Sequence, residues 1–175
     1  MSNKITLIRK QAEPFSVNYP FQLTEGGQPH FDWQGSKGSV LSKRQVPIEV
    51  FEWLRDYTNT FKSGMLIVDE NEDKTEEVLE TIETTKIEQE NINKAILTRS
   101  EIEQMLTSGN QNVLKKKLNE LVEDLDEYQA QEIKGYIYRE AIDIGVDSMA
   151  KRKVICDWYG TNVEDCGYIF DKEEK

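Results

Sequence analysis

Apolar and polar residues alternate from Phe15 through Val17, Tyr19 and Phe21 to Leu23. A period of two is the pattern of a strand with one buried face. Pro20 inside the run suits an edge strand or a bulge, because proline cannot donate to a ladder. A shorter β-prone run, Lys4 to Lys10, precedes it. Gly26-Gly27 predicts a turn, His30 to Trp33 a return strand, Gly35 to Gly38 a second turn, and Val40 to Val46 a third strand. Pro47 then opens a short helix whose inner face is Val50, Phe51 and Leu54, since proline at a helix start gives up a donor that would go unused. Phe61 to Val68 closes the set as a final strand. The order β-β-β-α-β predicts a small antiparallel sheet or barrel over residues 1–68, with one helix as plug or flank.

From Leu97 to Gly160 the period changes to that of helices. Thr98 and Glu101 have capping-box spacing. Ile102, Met105 and Leu106 mark a first helix, broken at Ser108-Gly109-Asn110. Val113, Leu114, Leu118, Leu121 and Val122 mark a second. Leu125, Tyr128, Ile133, Tyr136, Ile137, Ala141 and Ile144 mark a third, with Gly145 as its stop. Asp147 is placed to cap a fourth helix carrying Met149, Val154, Ile155 and Trp158, ended by Gly160. Thr161 and Glu164 repeat the capping-box spacing and predict a last short turn. Four amphipathic helices with short connections predict a bundle.

Between the two patterned regions the composition shifts. From Asp69 to Glu90 there are ten acidic residues against two lysines, 74 and 86. Val78, Leu79, Ile82 and Ile87 give only a thin apolar stripe. Such a segment is expected to be a linker or a lone solvated helix, or an acidic arm that docks on a basic partner. The expected class is therefore α+β: a β-rich module over 1–68, an acidic linker or solvated helix over 69–96, and a four-helix module with a C-terminal tail over 97–175.

The formal net charge of −11 argues against a general nucleic-acid binder, which needs excess lysine and arginine to meet phosphates. It also argues against an anionic membrane surface, and no apolar run approaches the roughly 18 residues of a span. The first residues lack the apolar core of a signal peptide. The chain is thus expected to be made and kept in a reducing cytoplasm, or released by lysis. Two cysteines, Cys156 and Cys166, are too few for a disulfide framework, and a buried thiol is expected rather than a bridge or a metal site. His30 is the single histidine, which removes most histidine-based metal and triad chemistry. Neither a glycine-rich phosphate loop nor a Cys-x-x-Cys pair is present. The acidic residues suggest paired carboxylates, but acid–base catalysis needs a pocket and pKa-shifting neighbours, and solvated faces are the simpler reading. Cys156 and Asp157 beside Trp158 do not make a nucleophile without a base close by. No catalytic, metal-binding or cofactor-binding residue is expected, and no cofactor.

Binding candidates remain. Lys115, Lys116 and Lys117, and Lys151, Arg152 and Lys153, form two basic triplets on predicted helices, either solvated or offered to an acidic neighbour. Tyr168, Ile169 and Phe170 place three large apolar residues near the terminus. They either pack back on the bundle or extend to a neighbouring subunit. Trp33, Trp53 and Trp158 are expected in the core.

The stretch Val46 to Leu54, followed by Phe61 to Val68, resembles short structural proteins of Gram-positive phage and prophage head-gene clusters. Those proteins join a β-rich module with a valine-proline, short helix, strand signature to a helical module. The helical module often opens with a threonine-capped Ser-Glu helix, as Thr98 to Glu101 does here. The resemblance implies a non-enzymatic virion structural or assembly protein of the head, neck or tail adaptor. It would be present in multiple copies and bind capsid, portal or tail components, with neither membrane nor nucleic acid as partner. It implies location in the virion after synthesis in the host cytoplasm. Two other readings stand beside it: an acidic host-takeover protein that blocks a basic nucleic-acid-binding site, and a nucleic-acid-binding regulator using the two triplets.

Overall fold

The computed structural model describes residues 4–69, 76–162, 164 and 170. They divide into two compact units, Met1–Thr98 and Arg99–Lys175. The α+β class with a four-helix second unit is as the patterning predicts.

In the first unit, Ile5, Leu7 and Arg9 of β1 (Lys4–Arg9) turn one face inward while Lys4, Thr6 and Ile8 lie nearer solvent. β1 pairs antiparallel with β4 (Ser42–Pro47), from Lys4 opposite Pro47 to Arg9 opposite Ser42. It pairs on its other edge with β5 (Ile67–Val68). β2 (Phe15–Asn18) and β3 (His30–Trp33) form a separate antiparallel pair. Trp33 joins the two sheets: its ring is buried and its Nε1 donates to the Leu7 carbonyl at 3.1 Å. Arg44 adds a second tie, donating to the Asp32 carbonyl at 2.9 Å. α1 (Ile48–Tyr57) covers this core with Val50, Phe51 and Leu54, all fully buried. Pro47 sits one residue earlier than expected, at the N-cap position with extended ψ, where it also closes β4.

Two strands are shorter than their sequence patterns. β2 ends at Asn18, and one further rung follows, Tyr19 N donating to Pro29 O at 2.8 Å. Pro20 cannot continue the ladder, and Phe21 is 61% exposed. In the run Phe61 to Val68 only the last two residues are strand. Gly64 has φ +68°, which interrupts extended backbone, and the preceding residues curl into a turn with Ser63 N donating to Asn59 O at 2.8 Å.

The acidic segment differs most from expectation. α2 (Glu76–Glu88) and α3 (Glu90–Ala95) lie within the first unit. Val78 and Ile82 pack against the sheet core. Thr85, Gln89, Ile92 and Ile96 are buried as well. Together these six positions follow the i, i+4, i+7 rhythm of one helical face. Two of the six are polar, which hid the stripe. Thr85 satisfies its hydroxyl on the Thr81 carbonyl at 2.9 Å. The Gln89 amide donates to the carbonyls of Phe61 and Leu66 at 2.9 and 3.0 Å. Ile96 and Ile92 crowd the bare Cα of Gly64, where an added Cβ would stand 2.1 Å from Ile96 Cδ1. Lys10 Nζ bonds Asn93 O at 3.1 Å and Oδ1 at 3.0 Å. The carboxylates of Glu80, Glu83, Glu88 and Glu90 stay exposed.

The second unit consists of α4 (Arg99–Thr107), α5 (Gln111–Val122), α6 (Glu127–Ile144) and α7 (Met149–Tyr159). Asn110 caps α5 through the amides of residues 112 and 113, and Asp126 caps α6 through Gln129 N. Ser148, not Asp147, caps α7. Gly160 ends α7 at φ +90°, left-handed backbone that suits glycine. The core holds Ile102, Leu114, Leu118, Ile133, Ile137, Ala141 and Ile155. Val113, Tyr128 and Met149, read as stripe members, are exposed. The short turn expected over 161–164 falls partly outside the described residues.

Two measurements test this packing. Leu118→Ala and Ile137→Ala, at fully buried sites, are each expected to cost about 2–5 kcal/mol in chemical denaturation; an unchanged midpoint would show that the stripes are not core. Burial of Ile82, Ile92 and Ile96 contributes about 5–9 kcal/mol at ordinary transfer values, comparable with the whole stability of a small domain. A fragment of residues 1–75 should therefore lack the cooperative melt that residues 1–98 show. Equal melts for both would contradict the packing of α2 and α3.

Candidate interaction surface

α1 has a second face. Glu49, Glu52, Trp53, Asp56 and Tyr57 recur at i, i+3, i+4, i+7 and i+8, opposite the buried Val50, Phe51 and Leu54. Helical neighbours three and four apart stand side by side. Tyr57 is 80% exposed, and Trp53, expected in the core, is only half-buried. Val50 and Phe51 on either side of the buried ridge leave position 53 at its margin. The Tyr19 ring meets Trp53 edge-on at 5.7 Å and Phe21 at 5.5 Å. Phe21 and Tyr57 are thus exposed at the outside of the first unit, and Tyr19 and Trp53 are half-buried, packed against its core.

The loop that carries Phe21 is pinned to α1. Thr24 donates to the Glu49 carboxylate through its amide at 2.9 Å and its hydroxyl at 2.7 Å. Leu23 anchors the same loop in the core. Burial raises the Tyr19 phenol above its ordinary pKa, and the carboxylates of Glu49 and Glu52 add to the effect by disfavouring a third negative charge. Asp56 belongs both to this face and to a cleft of about 520 Å³ between α1 and α2, lined by Arg55, Asp56, Glu80, Thr81, Thr84 and Glu88. Arg55 bonds Asp56 at 2.6 Å. That hydrogen bond holds the Asp56 carboxyl below its usual value. It also raises the Arg55 guanidinium, with the carboxylates of Glu52 and Glu88 contributing. One cation faces three carboxylates in the cleft, so the local field stays negative.

The described residues among those singled out from the sequence lie in the second unit, in different surroundings. Lys115, Lys116 and Lys117 are exposed on α5. Lys116 faces Glu120 at 3.6 Å, and Lys117 donates to Ser108 Oγ at 3.2 Å. Lys151 and Arg152 are buried, leaving Lys153 exposed. Lys151 Nζ donates to the Leu106 carbonyl at 2.7 Å, where a cation meets the negative end of α4. Arg152 Nε donates to Val146 O. Phe170 is buried, with its ring edge-on to Tyr138, which itself stacks on Tyr159 at 4.2 Å. Tyr168 and Ile169 lie outside the described residues. Cys156 is fully buried and disulfide-bonded, in place of the thiol expected there; Cys166 is outside the described residues.

Arg99, at the start of α4, reaches Glu140 and Asp143 of α6. Glu140 is buried while Arg99 and Asp143 are open to solvent, so Arg99 joins the two helices through one buried and one exposed carboxylate. Among the described residues no group of three or more His, Cys, Asp and Glu could hold a metal ion. No described helix is long and apolar enough to cross a membrane.

Residues 3–84 match the family model of the YonA N-terminal domain, a phage-associated family also found in prophage. The match takes in both sheets, α1 and most of α2, so it extends past the β-rich region into the acidic segment. No curated protein and no solved structure matches the chain.

The surface depends on the Thr24–Glu49 contacts for its shape. Glu49→Ala should speed hydrogen exchange at the Thr24 amide severalfold and lower stability by about 1 kcal/mol or less, the scale of an exposed hydrogen-bonded pair. Unchanged exchange would show that the loop is held by Leu23 alone.

Proposed function

We propose that the chain is a non-enzymatic bacteriophage protein that works by binding other proteins, as a structural or assembly component of the virion. The observation that carries the binding reading is the outward face of α1, where Tyr57 is 80% exposed and Trp53, only partly packed on the core, stands among carboxylates. Aromatic side chains dominate the energetics of protein interfaces, and a protein without a binding role gains little from exposing them. The phage setting is supported by the match over residues 3–84. On this reading the partners are capsid, portal or tail proteins, and repeated copies of the chain bind a repeated surface. Neither nucleic acid nor membrane is a partner.

One observation favours a second reading, an acidic host-takeover protein that occupies a basic nucleic-acid-binding site. The cleft beside α1 carries three carboxylates against one guanidinium, a pattern able to imitate phosphates. The regulator reading loses ground because Lys151 and Arg152 are engaged inside the second unit.

Fractionation of an infected or induced culture tests the choice. A virion component should band with particles in a density gradient and appear on an immunoblot of the peak. Recovery only in the soluble fraction, together with a host nucleic-acid-handling enzyme, would overturn the virion reading in favour of takeover.

A further inference from the structure

We propose that the outward face of α1, with the Tyr19–Phe21 arm beside it, docks an arginine-bearing segment of a partner protein. The inference rests on the protein-binding reading above and narrows its partner by charge. Three features of the face point the same way. Phe21 and Tyr57 are 61% and 80% exposed, whereas Phe31, Phe51 and Phe61 of the same unit are buried. Exposed aromatic area of this kind marks interaction sites.

Charge then selects among occupants. Glu52 is exposed beside Trp53 on the same helical face. Glu49 stands next to the loop and accepts only from neutral donors on Thr24 in the bonds that hold the loop. An apolar partner would strip water from these carboxylates without replacing it, which is costly. A phosphate chain or an anionic bilayer would be repelled by them. A guanidinium satisfies both components: its plane stacks on an aromatic ring, and its edge donates two parallel hydrogen bonds to a carboxylate. Lysine supplies the charge without the planar fork.

The third feature is that the surface is assembled in advance. Tyr19 is held between Trp53 and Phe21 by edge-on contacts, and Thr24 is tied to Glu49. A partner therefore orders little of the loop on arrival, and less of the interaction energy is lost to entropy. The acidic cleft meets the face at Asp56. A segment carrying more than one arginine can run from the aromatic rings into it.

The test uses the full-length protein and a short, fluorescently labelled arginine-rich peptide, with a matched peptide in which glutamine replaces every arginine. Anisotropy titrations are run at about 150 mM salt, where long-range surface charge effects are largely screened. Tyr57→Ala and Glu52→Gln, both at exposed positions, should each weaken arginine-peptide binding by about fivefold or more, the scale of a cation–π contact or charged contact. Glu123→Gln removes the same charge from the second unit and should change binding by less than about twofold. The glutamine peptide should not bind.

Equal weakening by Glu123→Gln, no effect of Tyr57→Ala, or equal binding of the glutamine peptide would each overturn the proposal. So would the absence of saturable binding. Particle fractionation separates this from the virion reading. Loss of the peptide result with the protein still in particles removes only the arginine site. Intact peptide binding by a protein absent from particles removes only the virion assignment.

Discussion

The first unit depends on one buried amide. Gln89 donates both of its side-chain hydrogens to the carbonyls of Phe61 and Leu66, which the turn around Gly64 leaves without strand partners. Without that clasp, the Leu66 carbonyl would be buried with its bonding unmet, at about 1–3 kcal/mol, and the Phe61 carbonyl would keep only its bond from Gly64 N at 3.1 Å. With it, the residue that closes the turn also fixes the junction of α2 and α3. Ile82 on one side and Ile92 and Ile96 on the other then complete the core. A segment that carries Glu80, Glu83, Glu88 and Glu90 can fold against a sheet only if those charges stay in water. The helical period makes this work, because one face takes the threonine, the glutamine and the isoleucines and the others take the carboxylates.

The surface proposed for binding follows from the same arrangement. α2 stands beside α1 because Val78 and Ile82 pack into the core, and the acidic cleft at Arg55, Asp56 and Glu88 exists only while it does. α1 is amphipathic in an unusual way: its inner ridge is aliphatic and phenylalanine, and its outer face is tryptophan, tyrosine and carboxylate. The second unit uses its cations differently. Lys151 and Arg152 are drawn inward to backbone carbonyls, and Arg99 joins α4 to α6 through a buried carboxylate. These three positive residues thus contribute to internal order, while α1 of the first unit offers negative and aromatic groups outward.

Much of the fold is legible in the sequence. The inner face of α1, the α+β class and the four helices with their apolar stripes follow from spacing alone. Three features do not, for separate physical reasons. The strand pattern from Phe15 to Leu23 runs on after the strand has stopped, because hydropathy does not register the donor that Pro20 lacks. The acidic segment reads as a tether because Thr85 and Gln89 occupy core positions as polar residues, and their partners, Thr81 close by and Phe61 and Leu66 far off, are visible only in three dimensions. Lys151 and Arg152 read as surface because charge is normally solvated, and nothing in the order of residues places Leu106 O beneath Lys151. The candidate surface is legible in spacing: Glu49, Glu52, Trp53, Asp56 and Tyr57 keep helical spacing opposite a complete apolar ridge, which puts Tyr57 outside and Trp53 at the margin of the core.

Hydrogen exchange along residues 76–96 of the intact protein tests the account most directly. If the acidic segment is part of the first unit, the backbone amides of Thr85, Gln89, Ile92 and Ile96 should exchange as slowly as those of β1. They should be released together with them as denaturant is added, as members of one cooperative unit. Exchange of the segment at the rate of a free peptide, with β1 still protected, would contradict the account, because neither the clasp at Gln89 nor the cleft beside α1 would then exist in solution.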